Sequence, residues 1–521
     1  MKAKSFLEGA GLAVLYLLPI ANTFFNTWHF DSFHHPFPVA SIPRAILLLL
    51  LFVWVLAWLS FAALNRLPLR GRAVGGIAFS ALLIWLLGRV GAGILDVHPT
   101  IVARVLLVTH IGVVLVPIVL LVLWWLRPGA LQRALDATRV LFTIAAFGML
   151  ILLPKLAWLS LRFEASEQTS FTNPSLPSSS GLTRPRIVWI LMDELSYDQV
   201  FDRRPSGLSF PNFEQFVRQS ATFSNLQPTG HLTEEVIPGL LLGHAVADVD
   251  RSAKVLRFRS AKKGAWQLYD IAHTVFGDAR QLGWTTGIAG WYNPDCRFLL
   301  GVLDRCSWQF SDQYPALPVH LYYKHSTFAN FLALLPFHER ITRLTATPED
   351  HEPHVRDYRD VMAQAESLLH DTRIRFVMLH LPVPHPPGIY DRNRHALTAG
   401  GNYADNLVLA DDTLGRLIKV IEATDAVSET SILVSSDHSW RMNIWKYLPD
   451  WTPEEERLSD GARFDPRPVL MVHVAGSEDG RVVSQPVSAM VVHPILEAIL
   501  HGQLRSSADV AALVAGQQKD K

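Results

Sequence analysis

Apolar residues crowd into the first third of the chain and thin out after about residue 161. Before that point five runs approach the roughly 20 residues that a helix needs to cross a bilayer. They cover 6–25, 42–64, 74–95, 101–126 and 140–161. Beyond residue 186 the apolar runs are short and alternate with helical spacing. Residues 187–192 are six unbroken apolar positions, the pattern of a strand buried on both faces of a parallel sheet. Further strands are expected over 284–290, 373–380, 431–435 and 468–474, and helices over 266–279, 402–424 and 494–500. The alternation predicts an α/β domain whose central, mostly parallel sheet lies between helices.

Four segments follow: a five-helix transmembrane domain (1–161), a linker rich in Ser, Thr and Pro (162–185), a water-facing α/β domain (186–505) and a flexible tail (506–521). The first apolar run follows Lys2 and Lys4, as in a signal peptide. Its length, Pro19 and Asn22, and the lack of a small-residue cleavage site favour a retained helix. Lys2, Lys4, Arg66, Arg70, Arg72, Arg127, Arg133 and Arg139 fall in alternate loops, which puts the amino terminus in the cytoplasm. Five crossings then carry the α/β domain to the outer side. Arg89, Arg104 and Lys155 sit inside apolar runs, where helix anchoring is favoured over contact with headgroup phosphate.

Net charge is zero, so there is no bulk electrostatic case for nucleic acid. The two cysteines, Cys296 and Cys306, are too far apart for a CxxC metal site, and in an oxidising compartment they are expected to form a disulfide.

Candidate chemistry gathers at strand ends. The 187–192 run stops in Asp193-Glu194, and the 431–435 run continues into Ser436-Asp437-His438. Ligands in open α/β sheets bind outside the carboxyl ends of the strands, and carboxylates with imidazole suit a divalent cation. Thr233 precedes Glu234 and Glu235. As a helix N-cap it needs no further role; as a nucleophile it would sit where free backbone N–H groups bind a phosphoryl group. His385 lies among prolines, free to bind metal, to donate to a phosphate oxygen, or to sit on the surface of a polyproline loop. His380 is expected to pack.

In order along the chain these are strand-Asp-Glu, Thr-x-x-x-x-Pro-x-Leu-Leu-x-Gly from Thr233 to Gly243, Pro384-His385-x-Pro387, and Ser436-Asp437-His438. That order resembles the sulfatase-like branch of the alkaline phosphatase superfamily over roughly residues 185–500. The helical anchor is similar in layout to membrane phosphoethanolamine transferases and lipoteichoic acid synthases. The resemblance implies Thr233 as nucleophile, with Asp193, Glu194, Thr233, Asp437 and His438 around a divalent metal, zinc or manganese ahead of magnesium or calcium. It implies His385 as the residue touching the transferred group, and it also fits a Cys296–Cys306 bridge. No Cys/Ser-x-Pro-x-Arg motif surrounds Thr233, which argues against ordinary sulfate-ester hydrolysis. The implied activity is transfer of a phospholipid-derived headgroup, phosphoethanolamine or phosphoglycerol, to an envelope glycan or lipid acceptor. The expected setting is a monomer in a bacterial inner membrane with its catalytic domain periplasmic. A membrane-anchored hydrolase or a non-catalytic envelope scaffold of the same fold are the alternatives.

Overall fold

The computed structural model describes residues 2–18, 41–94, 99–162, 170–176, 185–250, 256–261, 263–309, 327, 331, 353–424, 427–446, 451–460 and 463–517. The chain divides into two compact units, Met1–Glu167 with Tyr314–Thr347, and Gln168–Gln313 with Pro348–Lys521.

The first unit is a helical bundle: α1 (Lys2–Leu17), α2 (Ser41–Leu64), α3 (Leu69–Ile94), α4 (Pro99–Leu126), and α5 (Pro128–Ala145), which runs through a short 3-10 turn into α6 (Met149–Arg162). Among the described residues four stretches are long and apolar enough to span a membrane: Arg44–Leu64, Leu69–Gly91, Leu107–Leu126 and Pro128–Trp158. The expected count was five. α1 has 16 residues, about 24 Å at 1.5 Å per residue, and so falls short of a full crossing. The rest of its predicted run lies outside the described residues. The predicted loop between the fourth and fifth runs is instead helical from Pro128 onward, because its polar residues share one face while Leu131, Leu135 and Phe142 are buried.

α1 nonetheless belongs to the bundle core. Ser5 accepts a bond from Asn65 at 2.8 Å, and the carboxylate of Glu8, fully buried, pairs with Arg139 Nε at 2.7 Å. A Cβ at Gly11 would fall 1.6 Å from the Phe142 carbonyl oxygen, so only glycine permits this helix approach. Arg44 reaches the Ser160 carbonyl at 3.2 Å. These contacts make α1 antiparallel to α2 and parallel to α5–α6. The chain therefore leaves the bundle after α6 at the end opposite its amino terminus. Leu107, Val108, Ile111, Val114, Leu115 and Ile118 on α4 are exposed, a surface suited to lipid rather than water.

The second unit is built on a nine-stranded mixed sheet: β1 (Ser170–Thr172), β2 (Arg186–Met192), β3 (Ala221–Phe223), β4 (Thr286–Trp291), β5 (Arg305–Gln309), β6 (Phe376–Leu381), β7 (Thr430–Ser435), β8 (Leu470–His473) and β9 (Arg481–Val483). The spatial order is β1-β5-β4-β6-β2-β7-β8-β3-β9. The run β5-β4-β6-β2-β7 is parallel, as expected for strands that are apolar on both faces. Every residue of β2, β4, β6 and β7 is buried. Helices α9 (Pro353–His370) and α10 (Tyr403–Thr424) complete the core; the Arg186 guanidinium, wholly buried, closes the end of α9 by donating to the Leu369 carbonyl at 2.8 Å.

Two helical expectations change. Within 266–279 only α8 (Val275–Gln281) is α-helix; Asp270 caps a preceding 3-10 turn through Ala272 N, and Thr274 then caps α8 through Gly277 N, so a continuous helix is interrupted. The tail expected to fray from residue 506 forms α12 (Ser507–Gln517), held by buried Val510 and Val514. α11 (Val492–Leu500) precedes it, and α7 (Thr233–Leu242) carries the candidate nucleophile.

Candidate active site and metal centre

Parallel register decides where the polar loops emerge. Leu381 of β6 pairs with Met192 of β2, and Leu191 pairs with Ser435 of β7. The three strands end almost level, so Asp193, the Pro382–Pro387 loop and Ser436-Asp437-His438 leave the sheet side by side.

Thr233 meets them from α7. The N-cap of that helix is Leu232, not Thr233, and no side chain caps it. The threonine hydroxyl is therefore free of the capping role the sequence allowed. Its Oγ1, in a residue 5% exposed, lies 2.8 Å from Asp437 Oδ2, 3.4 Å from Asp193 Oδ2 and 3.3 Å from His438 Nε2. Asp437 turns Oδ1 to the backbone N–H groups of His438 (2.8 Å) and Glu194 (3.2 Å), which leaves Oδ2 for the site.

The set Asp193, Asp437 and His438 brings one ligand atom from each within 4.8 Å of the others. His438 Nδ1 faces the Ser439 carbonyl at 3.2 Å, an acceptor only, so the ring proton sits there and Nε2 presents a lone pair. That lone pair points at Asp437 Oδ2 3.1 Å away, and Asp193 Oδ1 has no hydrogen-bond partner among the described residues. Burial and the neighbouring Asp437 charge push the Asp193 carboxyl well above its usual range, and burial with nearby Arg441 holds His438 neutral. Acceptors facing acceptors in a buried site fit a divalent cation bound between them. His380, expected to pack, faces Asp193 Oδ2 at 3.4 Å, and burial lowers its pKa to about 4.

Glu194 adopts the left-handed conformation (φ 63°), and its carboxylate goes to Arg441 and Trp445 rather than to Asp437 and His438. Trp445 Nε1 donates at 2.8 and 3.0 Å, Arg441 N at 3.3 Å, and Arg441 Nε forms an ion pair with it. Burial, against the pull of Arg441, raises the Glu194 pKa to about 7. The remaining guanidinium nitrogens reach the His231 carbonyl at 3.3 Å and His385 Nε2 at 3.2 Å.

His385 is buried, not a surface residue of a polyproline loop. Asn406 of α10 donates to the carbonyls of His385 (3.0 Å) and Pro387 (3.1 Å), and His354 of α9 donates to His385 O at 3.0 Å. Burial and Arg441 keep the His385 ring neutral. On the other flank Asn293 donates to the Thr233 carbonyl at 3.3 Å, and the Tyr292 hydroxyl to Glu234 at 2.6 Å. Cys296 and Cys306 form a disulfide with Cα atoms 5.5 Å apart.

In the fold Thr233 meets Asp193, Asp437 and His438, and Glu194 and His385 each bring a ligand atom within 4.8 Å of Asp193; sequence reasoning had grouped all six from their order along the chain. It missed Arg441, Trp445, Tyr292 and Asn293. Arg441 had a signal, a basic residue three positions past His438 in the same strand-end loop; Tyr292 and Asn293 had only their place directly after β4.

No family model matches the chain, and no curated protein matches it. Similar solved structures include a phosphonate monoester hydrolase of Agrobacterium radiobacter (14% identity, 61% of this chain and 74% of that one, TM-score 0.38). A second is the PsFucS1 sulfatase from a Pseudoalteromonas species (12%, 64% and 72%, TM-score 0.40). A third is an inactive murine ectonucleotide pyrophosphatase/phosphodiesterase 5 in complex with AMP (10%, 61% and 95%, TM-score 0.35).

Proposed function

We propose that this chain is a membrane-anchored, metal-dependent enzyme that transfers a phospholipid-derived headgroup, phosphoethanolamine or phosphoglycerol, to an envelope glycan or lipid through Thr233. The observation that carries the reading is the buried Thr233 hydroxyl, within 3.4 Å of Asp193, Asp437 and His438 and not used as a cap. Asp193, Asp437 and His438, with Thr233 Oγ1, are the residues that would hold a divalent cation. When bound, the cation would lower the hydroxyl pKa and offset charge on the phosphoryl oxygens.

The chain's own groups supply the rest. Thr233 Oγ1 attacks phosphorus; an O–P bond forms as the bond to the diacylglycerol oxygen breaks. The hydroxyl proton leaves through Asp437 Oδ2, its present acceptor at 2.8 Å, and is delivered to the departing diacylglycerol oxygen, so that diacylglycerol is released neutral. Arg441 and neutral His385, tied together at 3.2 Å, bind the non-bridging oxygens, and Glu194 orients the guanidinium. The phosphothreonine adduct then passes its headgroup to a hydroxyl of the acceptor, restoring Thr233.

Arrangement of the anchor supports an outward-facing catalytic domain. Lys2, Lys4, Arg66, Arg70, Arg72, Arg127 and Arg133 cluster at the amino-terminal end of the bundle, which the positive-inside rule assigns to the cytoplasm. The chain leaves at the other end, on the periplasmic side of a bacterial inner membrane, where a disulfide persists.

Intact-mass measurement of the full chain incubated with defined phospholipids tests the reading. The expected result is a headgroup adduct that maps to Thr233, accompanied by diacylglycerol release, and absent from Thr233→Ala. Release at wild-type rate by Thr233→Ala overturns it. Diacylglycerol release that yields free headgroup phosphate, unaltered by glycan or lipid acceptors, assigns hydrolysis instead of transfer.

A further inference from the structure

Away from the catalytic residues, the second unit holds another set of metal-type side chains. Asp278 on α8 and His493 and Glu497 on α11 each bring a ligand atom within 4.8 Å of the other two. His493 and Glu497 are one helical turn apart, with Nε2 and Oε1 at 3.3 Å. Asp278 and Glu497 are partly exposed, so solvent reaches the group, while His493 is 9% exposed.

A surface ion pair between His493 and Glu497 is the simplest account of two of these residues, worth about 0.3–0.5 kcal/mol on a helix. It leaves Asp278 unexplained. Its carboxylate and that of Glu497 both lie within 4.8 Å of the His493 imidazole.

The imidazole is also oriented from outside the group. His493 Nδ1 donates to the Leu241 carbonyl at 3.0 Å, which can only accept, so Nε2 is the nitrogen turned toward the carboxylates. A backbone carbonyl fixing the far nitrogen is the usual support behind a metal-bound histidine. Gly243 (φ +74°) lets the ring sit there: a Cβ at that position would lie 2.7 Å from His493 Cδ2.

We propose that Asp278, His493 and Glu497 form a second divalent-metal site, of the mixed carboxylate–imidazole kind that takes zinc, with water completing the coordination. Its place gives it a task. Leu241 and Gly243 close the carboxyl end of α7, whose first residue is Thr233. A cation there joins α8 to α11 directly behind the helix that presents the nucleophile, roughly 15 Å from Thr233 at 1.5 Å per residue. The site does not depend on which reaction the catalytic centre performs.

Zinc titration of the full-length, detergent-solubilised, chelator-stripped protein tests this, in an Asp193→Asn/Asp437→Asn/His438→Gln background that takes a carboxylate from both ligand groups of the catalytic centre. Calorimetry is expected to find one remaining equivalent of zinc, and zinc is expected to raise the unfolding temperature. Asp278→Asn and Glu497→Gln should each weaken that binding at least about tenfold. Asp278→Asn removes a repelling charge and should not lower the unfolding temperature of the metal-free protein, while Glu497→Gln also gives up the His493 pair and should lower its stability by no more than about 0.5 kcal/mol. No zinc bound in that background, or binding indifferent to both substitutions, overturns the proposal.

Discussion

Replacing Arg441 by methionine separates two roles that the geometry combines in one side chain. The Glu194 carboxylate is wholly buried, and Arg441 supplies its counter-charge. Among the described residues, the Arg441 backbone N–H at 3.3 Å and Trp445 Nε1 at 2.8 and 3.0 Å would remain as its hydrogen-bond donors. Stranding one partner of a buried pair costs about 3–5 kcal/mol. Arg441→Met should therefore destabilise the second unit by up to about that amount above pH 8, and by less near pH 7, where Glu194, its pKa already about 7, takes a proton instead. Adding Glu194→Gln removes the stranded charge with a side chain of the same shape, which the tryptophan can still bond. The double variant should return to within about 1 kcal/mol of wild type, a coupling energy of about 2 kcal/mol or more.

Activity should not follow. If Arg441 binds the phosphoryl oxygens, the double variant lacks that donor however well it folds. Losing one preorganised transition-state donor lowers turnover about 10²–10³-fold. Arg441→Lys keeps the charge without the planar fork and should fall between. The assays are denaturant unfolding followed by tryptophan fluorescence, and diacylglycerol release from mixed micelles. A double variant that regains both stability and wild-type turnover refutes the anion-binding role and leaves Arg441 a purely structural partner of Glu194. A coupling energy near zero refutes the ion pair itself.

Two further outcomes follow from residues outside that pair. The Cys296–Cys306 bridge closes a loop of separation 10, so replacing both cysteines by serine should cost about 2–3 kcal/mol in chemical unfolding, and a cost near zero would mean the thiols are not joined in the purified protein. Asp295 is fully buried, both its oxygens lack partners among the described residues, and burial raises its pKa well above the usual range. A raised carboxyl pKa favours the protonated fold: the contribution is complete below about pH 4, the ordinary value, and is lost as pH rises through the folded value. Asp295→Asn should then leave stability unchanged near pH 4 and raise it by about 1–3 kcal/mol at pH 8; equal effects at both pH values would refute a buried neutral acid.

Five of the nine strands, β2, β4, β6, β7 and β8, were legible as apolar runs; β1, β3, β5 and β9 were not, because they are short or carry polar positions. Ile187–Met192 and Asp193 make that pattern plain, and the parallel register then converts sequence position into spatial proximity. The bundle was legible by length, except where length misleads. α1 is short yet central, because Gly11 and the Glu8–Arg139 pair hold it in place. The helix expected over 266–279 failed for a local reason, two side chains competing for backbone N–H groups. Arg441, Trp445 and Asn293 were hidden because no periodicity marks a residue whose importance comes from what another strand end presents to it.

Thr233 shows most directly how position within an element decides chemistry. A threonine before two glutamates at a helix start reads as a cap, worth about 1 kcal/mol to the helix. The helix instead begins one residue earlier in register, with Leu232 as an uncapped boundary, and Pro238 lies in its interior. Both features cost stability locally. The hydroxyl relinquished as a cap is the atom held between Asp437 and His438. Departures from local propensity of this kind are expected where a fold serves a reaction rather than its own stability. A Leu232→Ser substitution puts the trade to the test. It offers the helix a competent N-cap and should raise stability by about 0.5–1 kcal/mol. Because the new cap does not draw on Thr233 Oγ1, turnover should be unchanged. A loss of turnover with the gain in stability would mean that the uncapped start itself sets the hydroxyl's position.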